Sequence, residues 1–130
     1  MRRQFELSEE DKACLDARSA EWEAINENNT KWVIVPGFAI PEGYNHRSAS
    51  VALRIPPSYP DVQIDMVYFS PALALTTGKV IRQLTPLTID GKPYQQWSRH
   101  RPTGKWRPEI DSICTHLLQV EVWLKNELPK

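Results

Sequence analysis

An α+β fold, with one helix at each end of an antiparallel β-meander, is predicted by three features of the sequence. Ten of the eleven prolines lie between residues 36 and 108, leaving residues 1–35 and 109–128 without any. Proline lacks the N–H that a helix interior needs and its ring clashes with the preceding turn, so the helices belong in the flanks. Apolar residues recur with a helical period in those flanks and with a period of two in parts of the middle, the arrangement of α+β domains.

In the first flank, Ser8-Glu9-Glu10-Asp11 has the form of a helix start. A serine oxygen can accept an unpaired N–H there, and the acids suit the positive end of the helix dipole. Leu15, Trp22 and Ile25 follow at offsets of seven and three, one apolar stripe, so the helix is expected to run to the asparagines of residues 26–29. Trp32 to Val35 is a β-rich run that stops at Pro36-Gly37, and Ser48 to Ile55 is a half-buried strand. Val62, Ile64, Met66 and Tyr68 alternate with Gln63, Asp65 and Val67, a strand pattern. Lys79 to Leu84 is a further candidate strand. Ile89-Asp90-Gly91-Lys92 contains an Asp-Gly pair, the strongest short hairpin signal, with Tyr94 to Ser98 as the returning arm. Pro108 suits a first helical position, and Ile110, Ile113, Leu117, Val120 and Leu124 continue as one stripe, widened by Cys114, Leu118 and Val122.

The chain of 130 residues is 41% apolar and 25% charged, values that suit one domain over residues 1–130 and exclude a disordered chain. No apolar run reaches the roughly 18 residues that span a bilayer. Arg2-Arg3 is followed by no apolar stretch, so no secretory signal is expected, and the expected location is cytoplasmic with no membrane partner. Cys14 and Cys114 are expected to be reduced thiols there. Two cysteines 100 positions apart provide neither a zinc cluster nor a disulfide framework. The zero net charge hides an asymmetry, a net of −6 over residues 5–29 against +6 over residues 79–107.

Two motifs resemble those of the ubiquitin-conjugating (E2) fold. Ile55-Pro56-Pro57-Ser58-Tyr59-Pro60 is similar to the hydrophobic-Pro-x-x-Tyr-Pro segment between the second and third E2 strands. Trp106-Arg107-Pro108, opening an amphipathic helix, is similar to the Trp-x-Pro segment after the E2 active site. With Trp97-Ser98-Arg99-His100 after a hairpin, the chain most resembles a bacterial E2-related family, the prokaryotic family E of ubiquitin-like conjugation operons. The resemblance implies an E2/UBC-like fold whose C-terminal helix crosses over the sheet. It implies two partners, an E1-like adenylating enzyme and a ubiquitin-like protein, and no bound cofactor.

Three departures bear on the chemistry. E2 enzymes carry their cysteine about eight residues before the Trp-x-Pro tryptophan, and that count from Trp106 lands on Ser98. The His-Pro-Asn tripeptide is missing, Asp90 falling near the place of its asparagine, and the last helices of a full E2 domain are not expected after the crossover helix. The first helix is acidic where E2 enzymes commonly use a basic one. The resemblance therefore implies an oxyester on Ser98 in place of a thioester. An unaided hydroxyl needs an adjacent base, and His100, two residues on, shares a face with Ser98 in an extended segment. Asp90 across the hairpin, or Asp111, is expected to orient the imidazole, with Arg99 and Arg101 pointing away or flanking the acyl group. Cys114, placed by the pattern two turns inside the last helix on its apolar side, is expected to be a small hydrophobe. Cys14, among acids, is not expected to be reactive.

The alternative on the same fold is an inactive E2 variant that binds a ubiquitin-like protein or an E1 noncovalently, through Trp97, Tyr94 and the basic loop from Arg99 to Arg107. A third reading takes that loop, with four permanent charges and a tryptophan in nine residues, as a single-stranded nucleic-acid site. The neutral overall balance, with a pI near 6.8, argues against it. No Gly-x-Ser-x-Gly elbow marks a serine hydrolase, and neither His46 nor His116 stands at metal-ligand spacing, so no metal is expected.

Overall fold

The computed structural model describes residues 1–129. Its elements are α1 (Glu9–Arg18), β1 (Glu23–Glu27), β2 (Thr30–Ala39), β3 (Ser48–Ile55), β4 (Val67–Ser70), β5 (Leu84–Ile89), β6 (Lys92–Trp97) and α2 (Ile113–Asn126). The strands form one antiparallel six-stranded sheet in the order β1-β2-β3-β4-β6-β5. The first four run as a meander; the β5–β6 hairpin then adds its second arm beside β4. This is the α+β, E2-like arrangement expected. Among the described residues no helix is long and apolar enough to cross a membrane.

The first helix is shorter than its stripe implied. Ser8 caps it, its Oγ accepting from the Asp11 N–H at 3.1 Å. It ends at Arg18, where Ser19 turns extended and gives its N–H to the Leu15 carbonyl. Trp22 and Ile25 are buried as expected, but from a turn and from β1. Asn28 and Asn29 do not stop a helix; they occupy left-handed φ of 50° and 63° in a two-residue hairpin turn between Glu27 and Thr30. Asn tolerates that region better than most residues. Asp90 and Gly91 (φ 54° and 71°) repeat the device between β5 and β6, as the Asp-Gly pair predicted.

β2 does not stop at Pro36-Gly37: a bulge between Val35 and Phe38 absorbs the pair and pairing with β3 resumes. The alternation over residues 62–68 becomes a strand only from Val67, because Met66 sits at φ 60° and breaks the ladder. Residues 79–83 are loop, with Val80 exposed and Gln83 at φ 60°. At the other end, α2 starts at Ile113 rather than Pro108, capped by Ser112 in a capping box with Thr115; Ile110, Leu118 and Val122, expected on its apolar stripe, are exposed.

Burying the stripe of α2 on the sheet builds the main core. Leu117, Val120 and Leu124 meet Val51, Phe69 and Trp97, all fully buried. The opposite face carries a smaller cluster that includes Trp32, Tyr68, Ile89 and Tyr94. The two E2-like motifs lock together against the main core. Trp106 Nε1 donates to the Pro60 carbonyl at 2.8 Å, and the Tyr59 hydroxyl donates to Asp11 Oδ2 while accepting the Ile113 N–H, both at 2.8 Å. Burial pushes the Tyr59 phenol well above its ordinary range.

The cysteines overturn their expectation. Cys14 and Cys114 form a disulfide with Cα atoms 5.9 Å apart. Distance along the chain says nothing about proximity once α1 packs on α2. The shorter α2 also puts Cys114 at its second position, in the first turn, so it is neither two turns inside the helix nor a free thiol.

Candidate functional site

β6 lies between β4 and β5, and its direction continues past Trp97. The Ser98 N–H donates to the Gln83 carbonyl (3.0 Å) on one side, and the Arg99 carbonyl accepts the Met66 N–H (3.1 Å) on the other. Alternation therefore persists from Tyr94 to Arg101. Trp97, Arg99 and Arg101 turn toward α2: Trp97 into the core, Arg99 Nη2 to Glu127 at 3.4 Å, and Arg101 Nη1 to His116 at 2.6 Å. Gln96, Ser98 and His100 take the opposite, open face.

On that face Ser98 is half-buried, and its Oγ accepts from Gln96 Nε2 at 3.3 Å. His100 is exposed and turns Nδ1 to Asp65, 2.9 and 2.8 Å from the two carboxylate oxygens. A carboxylate only accepts, so Nδ1 carries a proton and Nε2 is left open toward solvent. Hydroxyl and imidazole thus share a face, as their spacing predicted, but the structure gives them separate partners. Beside Asp65 lies a shallow cleft of about 210 Å³, lined by Arg54, Pro56, Gln63, Met66 and Tyr68 among others.

The orienting acid is a correction. Asp90 sits at the far end of the hairpin, six β6 residues from Ser98, roughly 20 Å at about 3.3 Å per residue. There it is bound by the Arg2 guanidinium, Nη1 to Oδ1 at 2.9 Å, which lowers its pKa from the ordinary carboxylate range. Asp111 accepts the Arg107 N–H at 2.8 Å and is also committed elsewhere. The carboxylate that His100 does meet is Asp65, from the corner before β4, invisible in the sequence because 35 positions separate it from His100.

The proposed binding residues are also placed differently. Trp97 is fully buried, edge-on to Phe69 with ring centroids 5.1 Å apart, and Tyr94 is buried in the second cluster. Neither offers a ring to a partner. Arg99 caps Trp97 and bonds the Arg82 carbonyl (3.0 Å), and Arg101 stacks over Trp106 at 4.9 Å. Half the cations of the 99–107 loop are thus spent on the protein itself, and Trp106 is tied to Pro60 and covered by Arg101.

Sequence reasoning missed His116. It is fully buried on α2, and burial, reinforced by the neighbouring Arg101 charge, drops its pKa to about 4. Its Nε2 lies 2.8 Å from the Met66 carbonyl. Its place among the apolar residues of the last helix was the available signal. Among the described residues no group of three His, Cys, Asp or Glu side chains is placed to hold a metal ion.

Compared with known proteins, residues 7–127 match the family described as prokaryotic E2 family E. Neither a curated protein nor a solved structure matches the chain.

Proposed function

The chain belongs to prokaryotic E2 family E and with it to prokaryotic ubiquitin-like conjugation, and from that premise we propose that Ser98 accepts the ubiquitin-like protein as an oxyester from an E1-like adenylating enzyme. The observation that carries this is an Asp65-held imidazole on the same open face as the Ser98 hydroxyl. The incoming group is the C-terminal acyl thioester on the E1-like partner. Ser98 Oγ bonds to the acyl carbon, the C–S bond breaks, and the hydroxyl proton passes through His100 Nε2 to the departing thiolate. Asp65 stabilises the imidazolium formed on the way, the usual task of the third member of such a set.

The test is reconstitution with the E1-like enzyme, the ubiquitin-like protein and ATP. A base-labile, thiol-insensitive adduct is expected, absent in Ser98→Ala and slowed about 10²-fold or more in His100→Gln, the usual reach of a general base. An adduct that survives Ser98→Ala, or one that vanishes only in Cys114→Ser, overturns the assignment. The bond from Gln96 to Ser98 favours a second reading, a noncovalent E2-variant scaffold. Stable complex formation without any adduct selects it.

A further inference from the structure

Behind the open face, one buried side chain ties together the two segments that carry Asp65 and His100. Arginine has donors only, so the 2.6 Å contact between Arg101 Nη1 and His116 Nδ1 makes Nδ1 an acceptor. His116 is then neutral with its proton on Nε2, which donates to the Met66 carbonyl at 2.8 Å. Met66 in turn gives its N–H to the Arg99 carbonyl at 3.1 Å while held at a left-handed φ of 60°. His116 thus grips residue 66, next to Asp65, with one nitrogen and residue 101, next to His100, with the other. The ring has no freedom to do otherwise, being fully buried and edge-on to Trp123 at 5.4 Å. Both ends of the Asp65–His100 contact are therefore attached, one residue away, to the same imidazole on α2.

We propose that His116 and Arg101 are positioning residues that set the Asp65–His100 pair through the backbone of Met66 and of residues 99–101. Neither touches the acyl group. Their relevance to acyl transfer rests on the Ser98 reading, whereas the positioning itself does not.

The test reads the His100 imidazole directly, by nitrogen NMR of its tautomer in the uncharged protein. In the wild type the proton sits on Nδ1, facing Asp65, and Asp65→Asn defines the signature of the released ring. His116→Phe fills the same space without either bond and is expected to move His100 to that released signature. Arg101→Gln, milder for folding, is expected to move it partway. Leu117→Ala, on the neighbouring helix position and fully buried, controls for general destabilisation and is expected to leave it unmoved. A folded His116→Phe, or a folded Arg101→Gln where the first does not fold, that retains the wild-type His100 signature overturns the proposal. So does a Leu117→Ala that moves the signature equally. The two readings separate cleanly. A signature that moves in a protein forming no adduct keeps the positioning and removes the Ser98 chemistry; an adduct on Ser98 with an unmoved signature does the reverse.

Discussion

Removing the Cys14–Cys114 bridge should cost this protein a large share of its stability. The bridge joins residues 100 apart, so it encloses most of the chain. Closing a loop of that size removes about 4.7 kcal/mol of conformational entropy from the unfolded chain, and measured effects usually fall near 2–4 kcal/mol. Unfolding entropy of about 2.1 cal/mol/K per residue over 130 residues makes each kcal/mol worth roughly 4 °C in melting temperature. Cys14→Ser/Cys114→Ser should therefore melt roughly 8–18 °C below the oxidised wild type. A phosphine reductant should lower the wild type by a similar amount and leave the double variant unmoved. Calorimetry with and without reductant gives the shift, and thiol titration of the denatured protein reports whether the bridge is present. Two free thiols in protein purified without reductant, or an intact bridge whose reduction leaves the melting temperature unchanged, refutes the reasoning.

Acid should weaken the fold through His116. Its pKa falls to about 4 on folding from an unfolded value near 6.5, so the unfolded chain binds the extra proton and stability drops as pH falls from about 6.5 to 4. The loss is on the order of 3 kcal/mol, and denaturant titrations across that range should show a slope that His116→Phe largely removes. Leu117→Ala, which empties a fully buried site in the main core, should cost about 2–5 kcal/mol by the same titrations. Asp90→Asn should cost under about 1 kcal/mol, because the Arg2 pair is largely at the surface. It should leave adduct formation unchanged, and a large drop there would return Asp90 to the site.

Local signals in the sequence proved legible where one short segment settles the geometry. The Asp-Gly turn, the Ser8 cap and the α2 stripe each rest on neighbours within about one helical turn or one hairpin. Trp22 and Ile25 illustrate the opposite case. Three apolar points at offsets of seven and three fit a helix, yet burial from a turn and from a strand satisfies them equally, and the Asn28-Asn29 turn decided for the strand. At the site, the shared face of Ser98 and His100 followed from period-two alternation. The identity of the acid did not: Asp90 and Asp111 were the candidates, and Asp65 comes beside His100 only through the pairing of β4 with β6. Burial of Trp97 and Tyr94 was hidden for a related reason: β6 is an interior strand of the sheet, with cores on both faces, and a hairpin arm alone does not reveal its second neighbour.

The sheet's two margins are closed by different means. Along β1, the N-terminal segment supplies a row of partners: the Ala24 N–H donates to the Arg2 carbonyl (2.9 Å), the Gln4 N–H to the Ala24 carbonyl (2.7 Å), and the Asn26 N–H to Gln4 Oε1 (2.7 Å). Along β5, Pro86 withholds a donor in mid-strand. One margin is covered and the other is blunted, the two usual protections against strand addition by another chain. The covered margin is the vulnerable one, since its protection lifts off with the first four residues, while that of β5 is written into the strand. A bulky fusion at Met1, or cleavage after Gln4, would turn β1 into a template for self-association.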